Sequence, residues 1–378
     1  MHIGLDLRSF LKDETGIGVY FKYLLLSMAE IDRSNHYYLF SASFKARFPR
    51  AKLPDFLHMR FLDLRMPSRL LDGIWNRFQQ PTFDSFFRAR LDLTHSATPL
   101  LLPTAGKTVV TVHDLFYIDH PEMTDRHTRR FLVRHTANSL LRADGVIAVS
   151  HFTREDLLRK FDLNPAKVKV IYHGTSLPFR VPLTKAFQMV LRKKYRLPST
   201  FLLFVGAVEP RKNLITLVDA LKILHEKADP IELIIAGRKG SDYPRIQERI
   251  VRNGLEAWVR VLDYLPDEDI RGMYSLATLF VFPSLCEGFG FPLLEAMACG
   301  VPIVASNVSA LPEIAGDAAL FFDPKSSVEM AAAIQRGLEN DETRGTLIAR
   351  GKRRFQDFDW EHSARETLDF YRVVAGSG

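Results

Sequence analysis

The sequence predicts an α/β protein made of two Rossmann-like domains, each a doubly wound parallel sheet, facing each other across a cleft. Three observations predict it. Short β-branched and apolar runs alternate with helical periodicity along the whole chain. Alternation at this spacing means parallel sheets covered on both faces by helices. The strands read as continuous apolar runs, as in Phe201-Leu202-Leu203-Phe204-Val205, which is the mark of strands buried on both sides. Finally, 378 residues suit about two domains of ordinary size.

In the first half the strands fall at residues 3–7, 37–41, 58–62, 108–112, 145–149 and 168–172. In the second half they fall at 201–205, 232–236, 259–262, 279–282, 302–305 and 319–322. Helical periodicity fills the gaps, notably at 20–31, 126–141, 214–226 and 328–338, and closes the chain at 343–354 and 361–374. The pattern restarts at Phe201. Before it lies a stretch holding Pro178, Pro182, Pro198 and the basic run Arg192-Lys193-Lys194. This sets a first domain at 1–180, a linker at 181–198 and a second domain from 199. Ligands of such sheets bind outside the carboxyl ends of the strands, so the site is expected in the cleft.

Composition excludes several classes. Hydrophobic residues are 47% and charged residues 25%, ordinary for a globular chain and unlike a disordered one. Two cysteines, Cys286 and Cys299, cannot make a disulfide framework and point to a reducing compartment. The start lacks the basic and apolar stretches of a signal peptide, and no apolar run approaches a membrane span. Charge is uneven. The net +7 divides into +8 over residues 1–180 and −1 over 181–378. Residues 44–90 hold 10 basic and 4 acidic side chains, interleaved with aromatics. That mixture suits an anionic membrane surface or a phosphorylated partner, and equally a solvated basic face. No nucleic-acid recognition motif accompanies it.

The richest segment runs from Phe280 to Gly300. A strand ends near Pro283. The loop Gly288-Phe289-Gly290 permits close backbone approach to a ligand. Pro292 suits the first position of a helix and Gly300 the position past its end. The early amides of that helix, around Leu293 and Leu294, are expected to lack partners and to meet a phosphate. Glu287 in the loop and Glu295 in the helix lie at one strand end. Carboxylates there accept hydrogen bonds from the hydroxyls of a sugar or ribose. Two carboxylates beside a phosphate-binding helix end describe a site for a nucleotide-sugar.

A second constellation, Gly206-Ala207-Val208-Glu209-Pro210-Arg211-Lys212-Asn213, follows strand 201–205. Asn213 suits the cap of the next helix. Arg211 and Lys212 stand on the ligand-facing edge, ready to neutralise a departing diphosphate. In the first half, Thr15-Gly16-Ile17-Gly18 opens a helix but departs from the dinucleotide fingerprint, because Phe21 occupies its last position. His113 ends strand 108–112 and can bond a sugar hydroxyl; a buried structural histidine is the other reading. Asp267-Glu268-Asp269 and Asp357-Phe358-Asp359 have the form of a metal clamp, but the first marks a helix start. No metal and no cofactor is expected; a nucleotide diphosphate sugar is the substrate.

Together these motifs resemble the retaining glycosyltransferases of the GT-B fold, in the large family called group 1 or family four. The resemblance covers nearly the whole chain. The family's E-x7-E pattern matches Glu287 and Glu295, which implies that the first meets the donor sugar and the second the ribose. Its basic pair matches Arg211 and Lys212, its Gly-rich amino-terminal turn Gly16 and Gly18, and its first-domain histidine His113. It implies an acceptor domain at 1–180, a donor domain at 199–358 and a last helix, in 359–378, that crosses back to the first domain. Gly206, Gly288, Phe289, Gly290, Leu293 and Leu294 then line the donor. The chain departs from the pattern at Ala207, where many members carry arginine after the glycine. The turn motifs look most like the mannosyltransferase-like branch, which builds bacterial surface polysaccharide, often from GDP-mannose. The implied function is transfer of a hexose to a glycan or lipid-linked glycan at the cytoplasmic membrane face. A nucleotide-sugar epimerase on the same fold, or a scaffold that binds without turnover, stays open.

Overall fold

A computed structural model describes residues 1–12, 15–45, 47–124, 126–175, 179, 183–227 and 230–376. The chain forms two compact units. The first is Met1–Gly174 together with Asp359–Gly378, and the second is Thr175–Phe358.

The first unit holds a seven-stranded, all-parallel sheet among the described residues. Its strands are β1 (His2–Asp6), β2 (His36–Ala42), β3 (Met59–Leu64), β4 (Leu93–Ser96), β5 (Lys107–Val112), β6 (Gly145–Ala148) and β7 (Val168–Val170). Their order is β3-β2-β1-β4-β5-β6-β7, so the winding reverses between β1 and β4. Strand β4 was not expected. Its four residues include Thr94, His95 and Ser96, so no apolar run marks it, yet every one is buried. Its polar side chains are tolerated because they are bonded: His95 Nδ1 meets the Tyr371 hydroxyl at 2.6 Å and Nε2 meets Thr111 Oγ1 at 2.8 Å. Tyr371 lies on the last helix, Trp360–Ala375, which therefore closes the first unit. Ser363 Oγ of that helix donates to Tyr172 O.

The second unit carries β8 (Phe201–Val205), β9 (Glu232–Ala236), β10 (Val259–Leu262), β11 (Leu279–Phe282), β12 (Ile303–Ser306) and β13 (Ala319–Phe322). They form a parallel sheet in the order β10-β9-β8-β11-β12-β13. Phe201, Leu202, Leu203 and Phe204 are all inaccessible to solvent, as a doubly covered strand requires.

The stretch expected as a linker differs. Leu177, Pro178 and residues 181–182 lie outside the described residues. The remainder carries a helix, Lys185–Lys194, capped by Thr184, whose hydroxyl accepts from Phe187 N at 3.3 Å. Leu191 of this helix is buried against Gly272, where a Cβ would stand only 1.9 Å from Leu191 Cδ1. The basic run Arg192-Lys193-Lys194 is thus the last turn of a docked helix, where cations complement the helix dipole.

Candidate active site

The site begins at the reversal of winding in the second sheet, because β8 and β11 are hydrogen-bonded neighbours whose following connections leave in opposite directions. Gly206 leaves β8 at φ 147°, a backbone state that side chains rarely adopt. A Cβ there would stand 3.2 Å from the Phe204 ring and 3.7 Å from Lys212 Cε. Glycine therefore leaves room for the lysine. One 3₁₀ turn, Pro210–Lys212, follows, and Asn213 takes the left-handed state at φ 57°. Asn213 does more than start the next helix. Its Nδ2 donates to Pro283 O at 3.1 Å and Pro324 O at 2.8 Å, while Oδ1 accepts from the Thr216 hydroxyl at 2.6 Å. The loop after β8 is thereby pinned to the loop after β11. Leu285 N adds a bond to Arg211 O at 2.8 Å.

This pinning brings together three expected residues. Glu287 Oε2 accepts from Arg211 Nη1 at 2.8 Å and Oε1 from Lys212 Nζ at 2.5 Å. Lys212 is 6% exposed and Glu287 8%. The Lys212 ammonium also stands 5.0 Å from the centroid of the Phe282 ring. Burial pushes the Glu287 carboxyl up, but the charges of Arg211 and Lys212 outweigh it and hold the group at about 2. Burial pulls Lys212 below its ordinary value against the opposing pull of Glu287. Arg211 Nε further stands 3.4 Å from Glu209 Oε2. The result is a desolvated, charge-balanced cluster in which Arg211 and Lys212 share the Glu287 carboxylate and Arg211 also faces Glu209.

Glu295 behaves differently. It accepts a bond from the Tyr274 hydroxyl at 2.9 Å and has no cation within ion-pair distance among the described residues. Burial pushes its carboxyl up to about 7, against the lowering effect of that bond and of Lys212. The sequence signals for the two glutamates are alike; their surroundings separate them by several pH units.

The helix after the loop, Phe291–Cys299, starts one residue before expectation. Gly290 caps it at φ 98°, and Pro292 takes the second position. Pro292 has no N–H. Leu293 N donates to Gly290 O at 3.0 Å, so this amide is spent inside the turn, contrary to expectation. The side chains of Leu293 and Leu294 are fully buried. Phe289 is also buried, its ring 5.6 Å from that of Phe291 and 5.8 Å from that of Phe358. Its side chain packs the loop rather than facing outward; Gly288 beside it is buried as well. The metal-clamp pattern at residues 267–269 resolves as a helix start in which Asp269 accepts from Lys194 Nζ at 2.6 Å and the Tyr195 hydroxyl at 2.5 Å.

In the first unit, helix Gly16–Ile31 includes Gly16 and Gly18 in its first turn, earlier than periodicity suggested. The Thr15 hydroxyl accepts from Gly18 N at 3.2 Å, so that amide is satisfied locally. His113 follows β5. Its Nε2 donates to Ala97 O at 3.0 Å, which assigns the ring proton to Nε2 in the neutral state. Burial pulls His113 down to about 4, against the raising effect of that bond. Its ring lies 5.0 Å from Tyr20 and 5.5 Å from His173. Tyr274 and Asn213's cross-loop ties escaped sequence reasoning. Tyr274 is one aromatic in a helical pattern, and nothing in spacing tells a hydrogen-bond donor from a core ring.

Two Rossmann-like units, each with a doubly wound parallel sheet, define a protein of the GT-B class. The comparisons with known proteins give the family. The model for glycosyl transferases group 1 matches residues 190–354, and that for glycosyltransferase family 4 matches residues 15–177. The O-antigen chain mannosyltransferase B of Escherichia coli is 34% identical over 270 residues, 71% of each chain. A serotype-specific mannosyltransferase of the same species is 31% identical over 72% of this chain and 34% of its own length. The sucrose-phosphate synthase structure from Thermosynechococcus elongatus superposes with a TM-score of 0.80 over the whole of both chains at 22% identity. The chain belongs to the group 1 glycosyltransferases, and it resembles mannosyltransferases within them.

Proposed function

We propose that the protein is a retaining hexosyltransferase, with mannose the favoured sugar and GDP-mannose the favoured donor. Its acceptor is a hydroxyl of a glycan or lipid-linked glycan in cell-surface polysaccharide synthesis. The observation that carries this reading is the buried Arg211–Lys212–Glu287 cluster at the switch point. The likeness to a mannosyltransferase of O-antigen chains supports the sugar and the setting.

In this reading the bond from the sugar's anomeric carbon to the diphosphate breaks as the acceptor oxygen bonds to the same face. The acceptor proton passes to the departing phosphate oxygen, and the transition state is oxocarbenium-like. Arg211 and Lys212 meet the charge that grows on the diphosphate. Glu287, held ionised, accepts from sugar hydroxyls. Glu295 accepts from the ribose. His113, neutral, offers Nδ1 to a sugar hydroxyl, and Gly16 lies at the first unit's corresponding edge. No metal or cofactor is required for these roles.

An anionic membrane surface is the proposed docking partner, with the protein held at the cytoplasmic face. Helix Ser68–Phe78 buries Leu71 and Trp75 but leaves Leu70 55% and Phe78 66% exposed. The Arg77 guanidinium lies 6.0 Å from the Phe78 ring, and Arg65 lies 5.7 Å from the ring of exposed Phe44. The helix's carboxylate, Asp72, is taken by Arg8 at 2.6 Å. Basic and apolar groups thus share the exposed side. Among the described residues no helix is long and apolar enough to cross a membrane.

Nucleotide release from a panel of GDP- and UDP-sugars, with and without a crude lipid-linked glycan fraction, tests the reading. Release from GDP-mannose that the fraction accelerates supports it. Conversion of the donor without any acceptor makes the protein an epimerase, and binding without turnover makes it a scaffold. Failure to co-sediment with phosphatidylglycerol vesicles removes the membrane partner alone.

A further inference from the structure

Five residues other than glycine have positive φ among the described residues: Gln79, Arg88, Arg196, Asn213 and Ser309. Gln79 and Arg88 are helix C-caps, Asn213 caps the 3₁₀ turn, and Arg196 stands one residue past Tyr195, the C-cap of helix Lys185–Lys194. A helix carboxyl end is an ordinary place for the left-handed state, and asparagine tolerates it well. Ser309 has neither excuse. It precedes the short helix Leu311–Ala315, at φ 58°. Strain of this kind persists only where the surroundings hold it in place.

What holds it is the backbone of Glu287. Ser309 Oγ accepts from Glu287 N at 3.0 Å and donates to Val308 O at 2.7 Å. The next residue completes the grip, since Ala310 N donates to Glu287 O at 3.2 Å. Both backbone polar groups of Glu287 are therefore bonded to the turn at 309–310, while its carboxylate is bonded to Arg211 and Lys212. The strained serine and the buried glutamate are fastened to each other from two different sheet loops.

We infer that Ser309 is a positioning residue, which fixes the backbone of Glu287 so that its carboxylate stays aligned for the transferring sugar. The inference rests on the proposed role of Glu287 and deepens it. Ser309 touches neither sugar nor phosphate in this assignment; it acts through Glu287. In the left-handed turn the Ser309 hydroxyl reaches the Glu287 amide.

Ser309→Gly tests it, because glycine accepts φ 58° without strain but lacks the hydroxyl. Two readouts on the full chain separate the possibilities. Hydrogen exchange of the peptide around Glu287 is expected to quicken at least tenfold, while the midpoint of thermal unfolding holds or rises. The kcat for nucleotide release from the donor sugar is expected to fall about tenfold, with the affinity for nucleoside diphosphate alone unchanged. Ser309→Ala, which keeps the Cβ and loses the hydroxyl, is expected to show the same loss of kcat together with a lower unfolding midpoint. Unchanged exchange at Glu287 overturns the clamp whether or not a donor is known. Quickened exchange with full kcat overturns the positioning role and leaves the glycosyltransferase reading standing. If the parent protein turns over no donor, that reading fails by itself, and the exchange experiment still decides the clamp.

Discussion

The carboxyl edges of the two sheets occupy equivalent places and both bury ions, Asp6 with Arg8 in the first and Glu287 with Lys212 in the second, but the first also buries histidines that have no counter-charge bonded to them among the described residues. Each sheet reverses its winding beside its first strand, between β1 and β4 or between β8 and β11. At the first edge, buried histidines are neutral. Burial pulls His95 to about 3 and His113 to about 4, and His173 also lies well below the ordinary range. Thr111 and Tyr371, which bond His95, and Tyr20, whose ring meets His113, carry no charge. At the second edge Glu287 is equally buried, yet opposite charge outweighs burial and keeps it ionised. Topology supplies the place. Whether a buried group keeps its charge depends on whether a counter-charge is buried with it.

The comparison breaks most sharply if the ions at the second edge are removed. Glu287→Gln is expected to lower turnover about 100-fold or more, as loss of a preorganised polar contact does elsewhere. It is also expected to lower stability, because Lys212 loses its buried partner. Nucleotide-release assays and thermal unfolding read the two effects. The double variant Lys212→Met with Glu287→Leu is the sharper tool. Replacing both members of a buried pair is often neutral. The double variant should therefore regain most of the stability lost by either single variant and remain inactive, as a double-mutant cycle of unfolding free energies would show.

Acid should move the two units in opposite directions. Histidines that ordinarily titrate at 6.5 and are pulled down contribute stability above that pH and lose it as pH falls toward 4. His95 alone is worth on the order of 2 kcal/mol between pH 6.5 and 5. Glu295 is raised from 4.5 to about 7, so its contribution is full below 4.5 and lost as pH rises through 7. Urea unfolding with pulsed exchange of peptides from each unit, at pH 7 and pH 5, is expected to show the first unit weakening and Glu295 favouring the second. A His95→Gln variant should lessen the first trend, His113 and His173 keeping the rest, and Glu295→Gln should flatten the second.

The smallest effect belongs to Tyr274→Phe. Loss of its hydrogen bond should raise Glu295 above 7 and weaken nucleotide binding at pH 7 by about threefold, with the deficit closing by pH 8.5. Binding titrations across that range check it. A deficit that does not close with pH would mean Tyr274 acts through packing.

Much of this was legible in the sequence. The second sheet's strands announce themselves as apolar runs, and five of its six match expectation to the residue. The triad of Arg211, Lys212 and Glu287 was legible because strand ends of a parallel sheet collect loops on one edge. What was hidden is instructive. β4 is polar and buried, so hydropathy passes over it. The linker was misread because a docked amphipathic helix and a basic joint share the same composition. Ser309 carries no signal at all, since backbone angle is not written in residue type unless the residue is glycine or asparagine. Of the helix-end amides expected to be free, that of Leu293 bonds within its own turn.

The return of helix Trp360–Ala375 to the first unit makes the second unit an insertion, threaded between two parts of its neighbour. On a ribosome the order of completion follows. Residues 175–358 emerge as an uninterrupted stretch and can close their own sheet. The first unit, begun earlier, must wait for Tyr371 before His95 gains its buried partner. The earlier-made half is thus the later to finish, and a chain cut short near its end would damage the half synthesised first.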